Sequence, residues 1–338
     1  MPGNGRITRR NGLRTALAAV AAVPVLGTVR ASAPRLESPR PAHRASPGAA
    51  PAPPLKVMTF NLRFASTAEP NSWADRRPAM RDLLRRAAPH VIGTQEGRLP
   101  QVRDVEADLG PHYDWIGTGR GGDDESMAVL YDNRRLVPTS YAHFWLSDTP
   151  GVTGSNTWGG AHPRMVTWVR FRDLLDGGRA FCVLNTHLDN ASQYARVRAA
   201  ALIAERIKEF DPSLPVVVTG DFNAVAHENE VYDTLLDAGL VDTWETAARR
   251  GPAYGTFSNY RPPVPDGDRI DWILATPDVT VRRAWIDTRA PGGQFPSDHL
   301  PVCATLSLGR AEAPVTGAVT GASYSLTATG GPDDQVRG

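Results

Sequence analysis

The chain has 338 residues, 41% of them hydrophobic and 22% charged, with a formal net charge of +1. That is enough apolar mass for a large buried core, which excludes a disordered or fibrous protein. The near-neutral total hides an uneven distribution: residues 1–54 carry eight arginines against one glutamate, and residues 55–308 carry 27 basic and 32 acidic residues, a net of −5. Bulk composition of the part expected to fold therefore lacks the basic excess of a protein that tracks a nucleic-acid backbone.

In chain order, the first feature is an export signal. Arg9 and Arg10 precede a short apolar run from Leu13 to Leu26, which is broken by Pro and Gly and too brief to span a bilayer. The pattern resembles a twin-arginine (Tat) signal, although Gly12 stands where such signals usually carry phenylalanine; an ordinary Sec signal is the alternative, and either exports the protein. Ala31-Ser32-Ala33 has the form of a cleavage site despite the unfavourable Pro34, so residues 1–33 are assigned to the signal. Residues 34–54, rich in Pro, Ala, Ser and Arg, read as a linker, and residues 309–338 as a disordered tail. The expectation is a secreted monomer with no stable membrane insertion and with the Tat machinery as its export partner.

Between 55 and 308, apolar runs predict strands at Lys56 to Phe60, Val91 to Gln95, Trp115 to Gly117, Met127 to Tyr131, Val166 to Phe171, Phe181 to Thr186, Val216 to Thr219, Ile270 to Leu274 and Val302 to Leu306. Helices are predicted at Asp75 to Ala88, where Met80, Leu83, Leu84 and Ala87 form one stripe, and at Arg196 to Phe210, where Val197, Ala200, Ala204 and Ile207 form another. Asp75 is the expected cap of the first helix. Alternation of strands and helices is the signature of an α/β domain, and no internal repeat is visible. Cys182 and Cys303 each lie inside an apolar run and are expected to be buried free thiols.

Short polar motifs close the apolar strands at their C-terminal ends, where such a scaffold exposes its loops. They are Phe60-Asn61, Gln95-Glu96, Asn185-Thr186-His187, Gly220-Asp221-Phe222-Asn223, Arg269-Ile270-Asp271 and Ser297-Asp298-His299. Each alone has an ordinary explanation as a turn residue, a cap or a core histidine. Six such ends in one domain point instead to a shared site.

In order and spacing these motifs resemble those of the endonuclease/exonuclease/phosphatase family, which includes deoxyribonuclease I, over about Leu55 to Leu308. The resemblance implies an α/β (α+β) four-layered sandwich of two packed mixed sheets flanked by helices, with the site at one edge. It also implies hydrolysis of a phosphoester. Such chemistry needs a hard cation on oxygen ligands, which favours Mg²⁺ or Mn²⁺, with Glu96 as ligand and Asn61 and Asp298 as helpers. By resemblance Asp221 holds the attacking water and Asn223 bonds the phosphoryl group. Asp271 orients His299, and His187 touches the phosphate or leaving group, the division of acid and base roles between the two imidazoles staying open. Arg164, in a loop with His162, is a candidate phosphate clamp, and Tyr131 a candidate hydroxyl donor to substrate. Asn71, Trp73 and Arg76 are placed near the entrance without an assigned role.

Within the family, Asp268 to Asp271 does not match the Trp-Cys-Asp-Arg-type block of inositol polyphosphate 5-phosphatases, and Thr186-His187 does not match the tyrosine motif of abasic-site endonucleases. The histidine makes the chain more similar to the deoxyribonuclease I, sphingomyelinase and deadenylase-like branches, without the long apolar hairpins of a sphingomyelinase. The function expected is a metal-dependent, nuclease-like phosphodiesterase with nucleic acid among its candidate substrates. A phosphomonoesterase of a small metabolite and a non-catalytic binding domain are the alternatives.

Overall fold

Period-two alternation gives most strand segments an apolar file on each face, and the two files are buried against different partners. The computed structural model describes residues 52–121 and 125–309. The expected export signal, the linker as far as residue 51 and the tail from residue 310 lie outside the described residues.

The elements are β1 (Leu55–Asn61), α1 (Trp73–Ala87), β2 (Val91–Gln95), α2 (Leu99–Leu109), β3 (Tyr113–Ile116), β4 (Ala128–Asp132), β5 (Leu136–Trp145), β6 (Met165–Asp173), β7 (Arg179–His187), α3 (Gln193–Lys208), β8 (Val216–Asp221), α4 (Glu230–Asp237), β9 (Val241–Asp242), α5 (Thr243–Thr246), β10 (Asp271–Ala275), β11 (Thr280–Ile286) and β12 (Val302–Ser307). They form two six-stranded sheets, β11-β12-β1-β2-β4-β3 and β5-β6-β7-β8-β10-β9. Only β1–β2 and β7–β8 pair in parallel among the pairs of named strands.

Val57, Val91, Val183, Val217 and Ile273 meet between the sheets. Met58, Phe60 and Ile92 face outward onto Met80 and Leu84 of α1 and Val102 of α2, while Leu184, Val218 and Leu274 face outward onto Ala200 and Ile203 of α3 and Val231 of α4. The result is the expected helix–sheet–sheet–helix sandwich, each large buried side chain contributing about 1.5–3 kcal/mol. Alternation also explains the cysteines. Cys182 points toward α3 and Cys303 toward α1, in separate cores, and both are free and buried.

Several elements differ from the sequence expectation. The edge strand β5 carries Pro138 and a bulge between Pro138 and Ser140, and edge strand β11 carries Arg282 and Arg283, so neither shows an apolar run; such residues are typical protection of sheet edges. Helix α1 is capped by Ser72, whose Oγ accepts the Asp75 N–H, rather than by the Asp75 carboxylate. The folded region also starts slightly before Leu55, since Arg135 donates to the carbonyls of Pro53 and Pro54.

Near one edge of the sandwich the inward files turn polar. Gln95 Nε2 donates to Asn185 Oδ1 (2.8 Å) and Thr59 Oγ1 (3.1 Å), Asn185 Nδ2 donates to the Thr94 carbonyl (2.8 Å), and Thr219 Oγ1 donates to Asn185 Oδ1 (3.1 Å). Gly93 lies beneath this seam, where a Cβ would collide with Thr219 Oγ1 and Asn185 Oδ1. Buried amides of this kind fix register because a slip would leave them unpaired. Each stands next to, or two residues before, a polar strand end.

Candidate active site

Strand direction brings the polar ends together. Asn61 and Gln95 pair at the ends of β1 and β2, His187 and Asp221 pair at the ends of β7 and β8, and Asp271 opens β10 opposite Asp221. Asp298 and His299 come just ahead of β12. The expectation that every motif closes its strand is therefore corrected for Asp271, Asp298 and His299: β10 and β12 run antiparallel to their neighbours and reach the same edge with their N-terminal ends.

At this edge short side chains turn the backbone. Asn61 Oδ1 accepts the Arg63 N–H and Asp221 Oδ1 accepts the Asn223 N–H, both at 2.9 Å, the two-residue turn that Asn and Asp make readily. Arg63, Glu96 and Asn223 have φ values of 51°, 59° and 49°, left-handed backbone that disfavours residues with a Cβ. Such strain collects where a side chain has to be aimed.

A cleft of ≈ 400 Å³ opens here, lined by Arg63, Phe64, Glu96, Arg120, Glu125, His162, Arg164, His187, Asn190, Asp221, Asn223, Phe257, Asp298 and His299 among others. His299 Nδ1 lies 2.9 Å from Asp271 Oδ2 and its Nε2 lies 3.7 Å from Asp221 Oδ2. Burial by itself lowers an imidazole pKa, but the charges of Asp271 and Asp221 outweigh it and raise His299 to about 10, so this ring is an imidazolium at neutral pH. Asp221 is raised to about 7, first by burial and then by the charge of Asp271, against the charge of His299 and the hydrogen bonds from Asn61 and Asn223. A carboxylate poised near neutrality is suited to take a proton from water.

His187 has the opposite environment. It is buried, its Nδ1 lies 2.8 Å from Arg164 Nη1, and its Nε2 faces Asp221 Oδ2 at 3.4 Å with Asn223 Nδ2 at 3.0 Å. Burial, then the Arg164 charge, holds its pKa well below the ordinary range. The two imidazoles thus differ in charge, a distinction the sequence left open.

The carboxylates of Glu96 and Asp298 lie side by side, each 3.6 Å from the Arg63 guanidinium. Asp298 is raised, first by burial and also by the neighbouring Glu96 charge, a strain that a cation relieves. These hard oxygen donors fit Mg²⁺ or Mn²⁺. Asn61 has a different place from the expected oxygen ligand. Its Nδ2 donates to Glu96 Oε1 and Asp221 Oδ2, both at 3.0 Å, because two carboxylates flanking one amide require its donor. A second acidic group, Asp221, Asp271 and His299, has its ligand atoms within 4.8 Å of one another. There the Nδ1 of His299 is engaged by Asp271, while Glu96 and Asp298 present their oxygens to the cleft.

Of the expected substrate contacts, Arg164 lies in the cleft wall, 6% exposed, donating from Nη2 to Asn190 Oδ1 at 3.0 Å and with Nε 3.7 Å from Asp189 Oδ2. Tyr131 does not reach the site, and that expectation is corrected. It pairs with Val91 at the opposite end of β2 from Gln95, packs on Phe171 at a centroid distance of 5.1 Å, and burial pushes its phenol up to about 12. β4 runs antiparallel to β2, so its C-terminal end points away from the cleft. Arg76 is fully buried and donates to the carbonyls of Leu62, Arg63, Phe64, Asn71 and Pro296; it clasps the loops that carry Arg63 and Asp298. Arg63, Arg120, Glu125 and Asn190 were not singled out from the sequence. Arg63 and Asn190 had a signal, each within three residues of a motif residue, whereas Arg120 and Glu125 sit on a Gly-rich stretch without one.

Residues 58–299 match the Endonuclease/Exonuclease/phosphatase family. No curated protein sequence matches the chain. Among solved structures, the chain is similar to a mannosyl-6-phosphatase from Bacteroides thetaiotaomicron, with 34% identity over 75% of this chain and 99% of that one and a TM-score of 0.70. It is also similar to an endonuclease/exonuclease/phosphatase from Bacteroides vulgatus, with 32% identity, the same two coverages and a TM-score of 0.70. The catalytic domain of human Nocturnin shares the fold, with 20% identity over 76% of this chain and 95% of that one and a TM-score of 0.61. With the sandwich, the strand-end residues and a match over most of the folded region in agreement, the chain belongs to the endonuclease/exonuclease/phosphatase family.

Proposed function

We propose that the protein is a divalent-metal-dependent phosphomonoesterase acting on a small phosphorylated metabolite of the sugar-phosphate class. The observation that carries this reading is a compact cleft of ≈ 400 Å³ whose arginines are each matched by an acid, Arg120 by Glu125 at 2.9 Å, Arg164 by Asp189 at 3.7 Å and Arg63 by Glu96 and Asp298 at 3.6 Å, in a region whose sequence carries a net charge of −5. A nucleic acid would need charge spread along a track, and the cleft has the size of a small-ligand site. The similarity to a mannosyl-6-phosphatase over nearly that protein's whole length supports the same class.

In this reading Glu96 and Asp298 hold Mg²⁺ or Mn²⁺, which supplies Lewis-acid neutralisation of phosphoryl oxygens when bound. Asp221 accepts the proton of the attacking water, Asn61 fixes Asp221 relative to Glu96, and the Asp271-oriented His299 cation offsets developing negative charge. The test is turnover of p-nitrophenyl phosphate and hexose phosphates against bis-p-nitrophenyl phosphate and short oligonucleotides. Monoester hydrolysis should dominate, vanish with EDTA and return with Mg²⁺ or Mn²⁺. Diester turnover well above monoester turnover would overturn the substrate class and restore the nuclease-like reading.

Export is proposed from the sequence alone, on Arg9 and Arg10 ahead of the apolar run. Changing both to Lys should trap the precursor inside the cell if the Tat route is used, because that signal depends on the arginine pair; normal secretion would point to the Sec route. Among the described residues no helix is long and apolar enough to cross a membrane.

A further inference from the structure

We propose that Thr256 is a positioning residue that sets the Asp271–His299 pair by holding both of the segments that carry it; the proposal rests on phosphoester hydrolysis in this cleft. The pair crosses between the sheets. Asp271 opens β10, which pairs with β8 in one sheet, while His299 stands just ahead of β12, which pairs with β1 in the other. Their contact of 2.9 Å is therefore fixed by no strand ladder, since ladders run within a sheet. Asp271 Oδ1 has no hydrogen-bond partner among the described residues, so the aim of this buried carboxylate is left to its backbone and to His299.

Thr256 supplies the tie. Burial alternates along Thr256, Phe257 and Ser258, the first and third being buried and the second exposed. Thr256 Oγ1 accepts the N–H groups of Ile270 at 3.0 Å and Asp271 at 3.1 Å, and the Thr256 N–H donates to the Asp268 carbonyl at 2.9 Å. Toward the other sheet, the Thr256 carbonyl accepts the Leu300 N–H at 2.7 Å, and Phe257 forms an antiparallel bridge with His299. The Asp298 carbonyl accepts the N–H groups of Ser258 and Asn259 at 2.7 and 2.9 Å. One residue thus bonds Asp271 itself and the residue next to His299. A hydroxyl oxygen has the two lone pairs that both N–H groups need, and the branched Cβ of threonine restricts the rotamer that keeps the oxygen there.

The test has a spectroscopic and a kinetic arm. Proton NMR of the full chain should show a low-field resonance from the His299 Nδ1–H that bonds Asp271, assigned by its loss in His299→Gln. Thr256→Val, which keeps the shape and removes the acceptor, should move that resonance upfield or lose it to exchange, whereas Thr256→Ser, which keeps the oxygen, should retain it. In turnover of p-nitrophenyl phosphate with Mg²⁺, Thr256→Val should lower kcat about tenfold with KM within about twofold, and Thr256→Ser should recover most of the loss. In the His299→Gln background the same Thr256→Val change should cost less than about twofold, because residues that act through one pair are not additive. A loss of about tenfold in both backgrounds marks a general effect on the fold and overturns the proposal. So does a low-field resonance that is absent from the wild type or unchanged in Thr256→Val. Thr256→Ala, which leaves room for a water at the freed N–H groups, runs the same cycle if Thr256→Val fails to fold. Absence of any phosphoester turnover in the wild type strikes the functional reading alone, with the resonance still measured.

Discussion

Asp221→Asn should lower kcat by at least about a hundredfold and remove the acidic limb of the pH profile. In the wild type, activity should rise as pH passes about 7, where the buried Asp221 ionises, and fall above about 10, where His299 loses its charge. The sign follows from the roles. A base works deprotonated, so a raised carboxylate pKa moves the acidic limb upward, while a raised imidazole pKa moves the alkaline limb upward. The amide keeps the shape of the side chain but takes no proton from water, and general-base contributions are of the order of 10²–10⁴. His299→Gln should remove the alkaline limb with a comparable loss. Near-normal turnover of Asp221→Asn, or survival of the limb near pH 7 in that variant, would show that the proton goes elsewhere.

Arg76→Met should destabilise the fold by roughly 3 kcal/mol or more, because five carbonyls lose a charged donor in a buried place. For a domain of this size that corresponds to a fall in Tm of roughly 6–12 °C. The same change frees the backbone at Arg63 and Pro296, so the Mg²⁺ concentration needed for half-maximal activity should rise in the folded fraction. Thermal unfolding measures the first, and a titration of turnover with Mg²⁺ the second. A variant with unchanged Tm and an altered KM would instead place Arg76 at the entrance, as a substrate contact.

The polar seam connects these effects. Gln95 and Asn185 bridge the sheets immediately before Glu96 and two residues before His187, so the registers that place the Glu96 carboxylate and the His187 imidazole are fixed by one shared hydrogen-bonded group. Backbone strain at Arg63, Glu96 and Asn223 persists because the surrounding turns and pairings hold it.

Much of this was legible in the sequence because it is local. Val57, Thr59 and Asn61 alternate on one face of β1, as Val217, Thr219 and Asp221 do on β8, and period two determines that the polar end of such a file projects toward the same layer as its apolar start. Motif order and spacing were sufficient for the family and the four-layered fold. Edge strands β5 and β11 were hidden because an edge needs no continuous apolar run. Tyr131 was misplaced because a strand end has no address until strand direction is known. The ionisation of the two imidazoles was likewise out of reach: His187 and His299 both end polar motifs, yet one faces Arg164 and the other Asp271. Those partners stand 23 and 28 residues away along the chain, and charge in a buried site depends on what folding brings within hydrogen-bond distance. Sequence determined which chemical groups were present, and tertiary structure decided which of them carry charge and where they point.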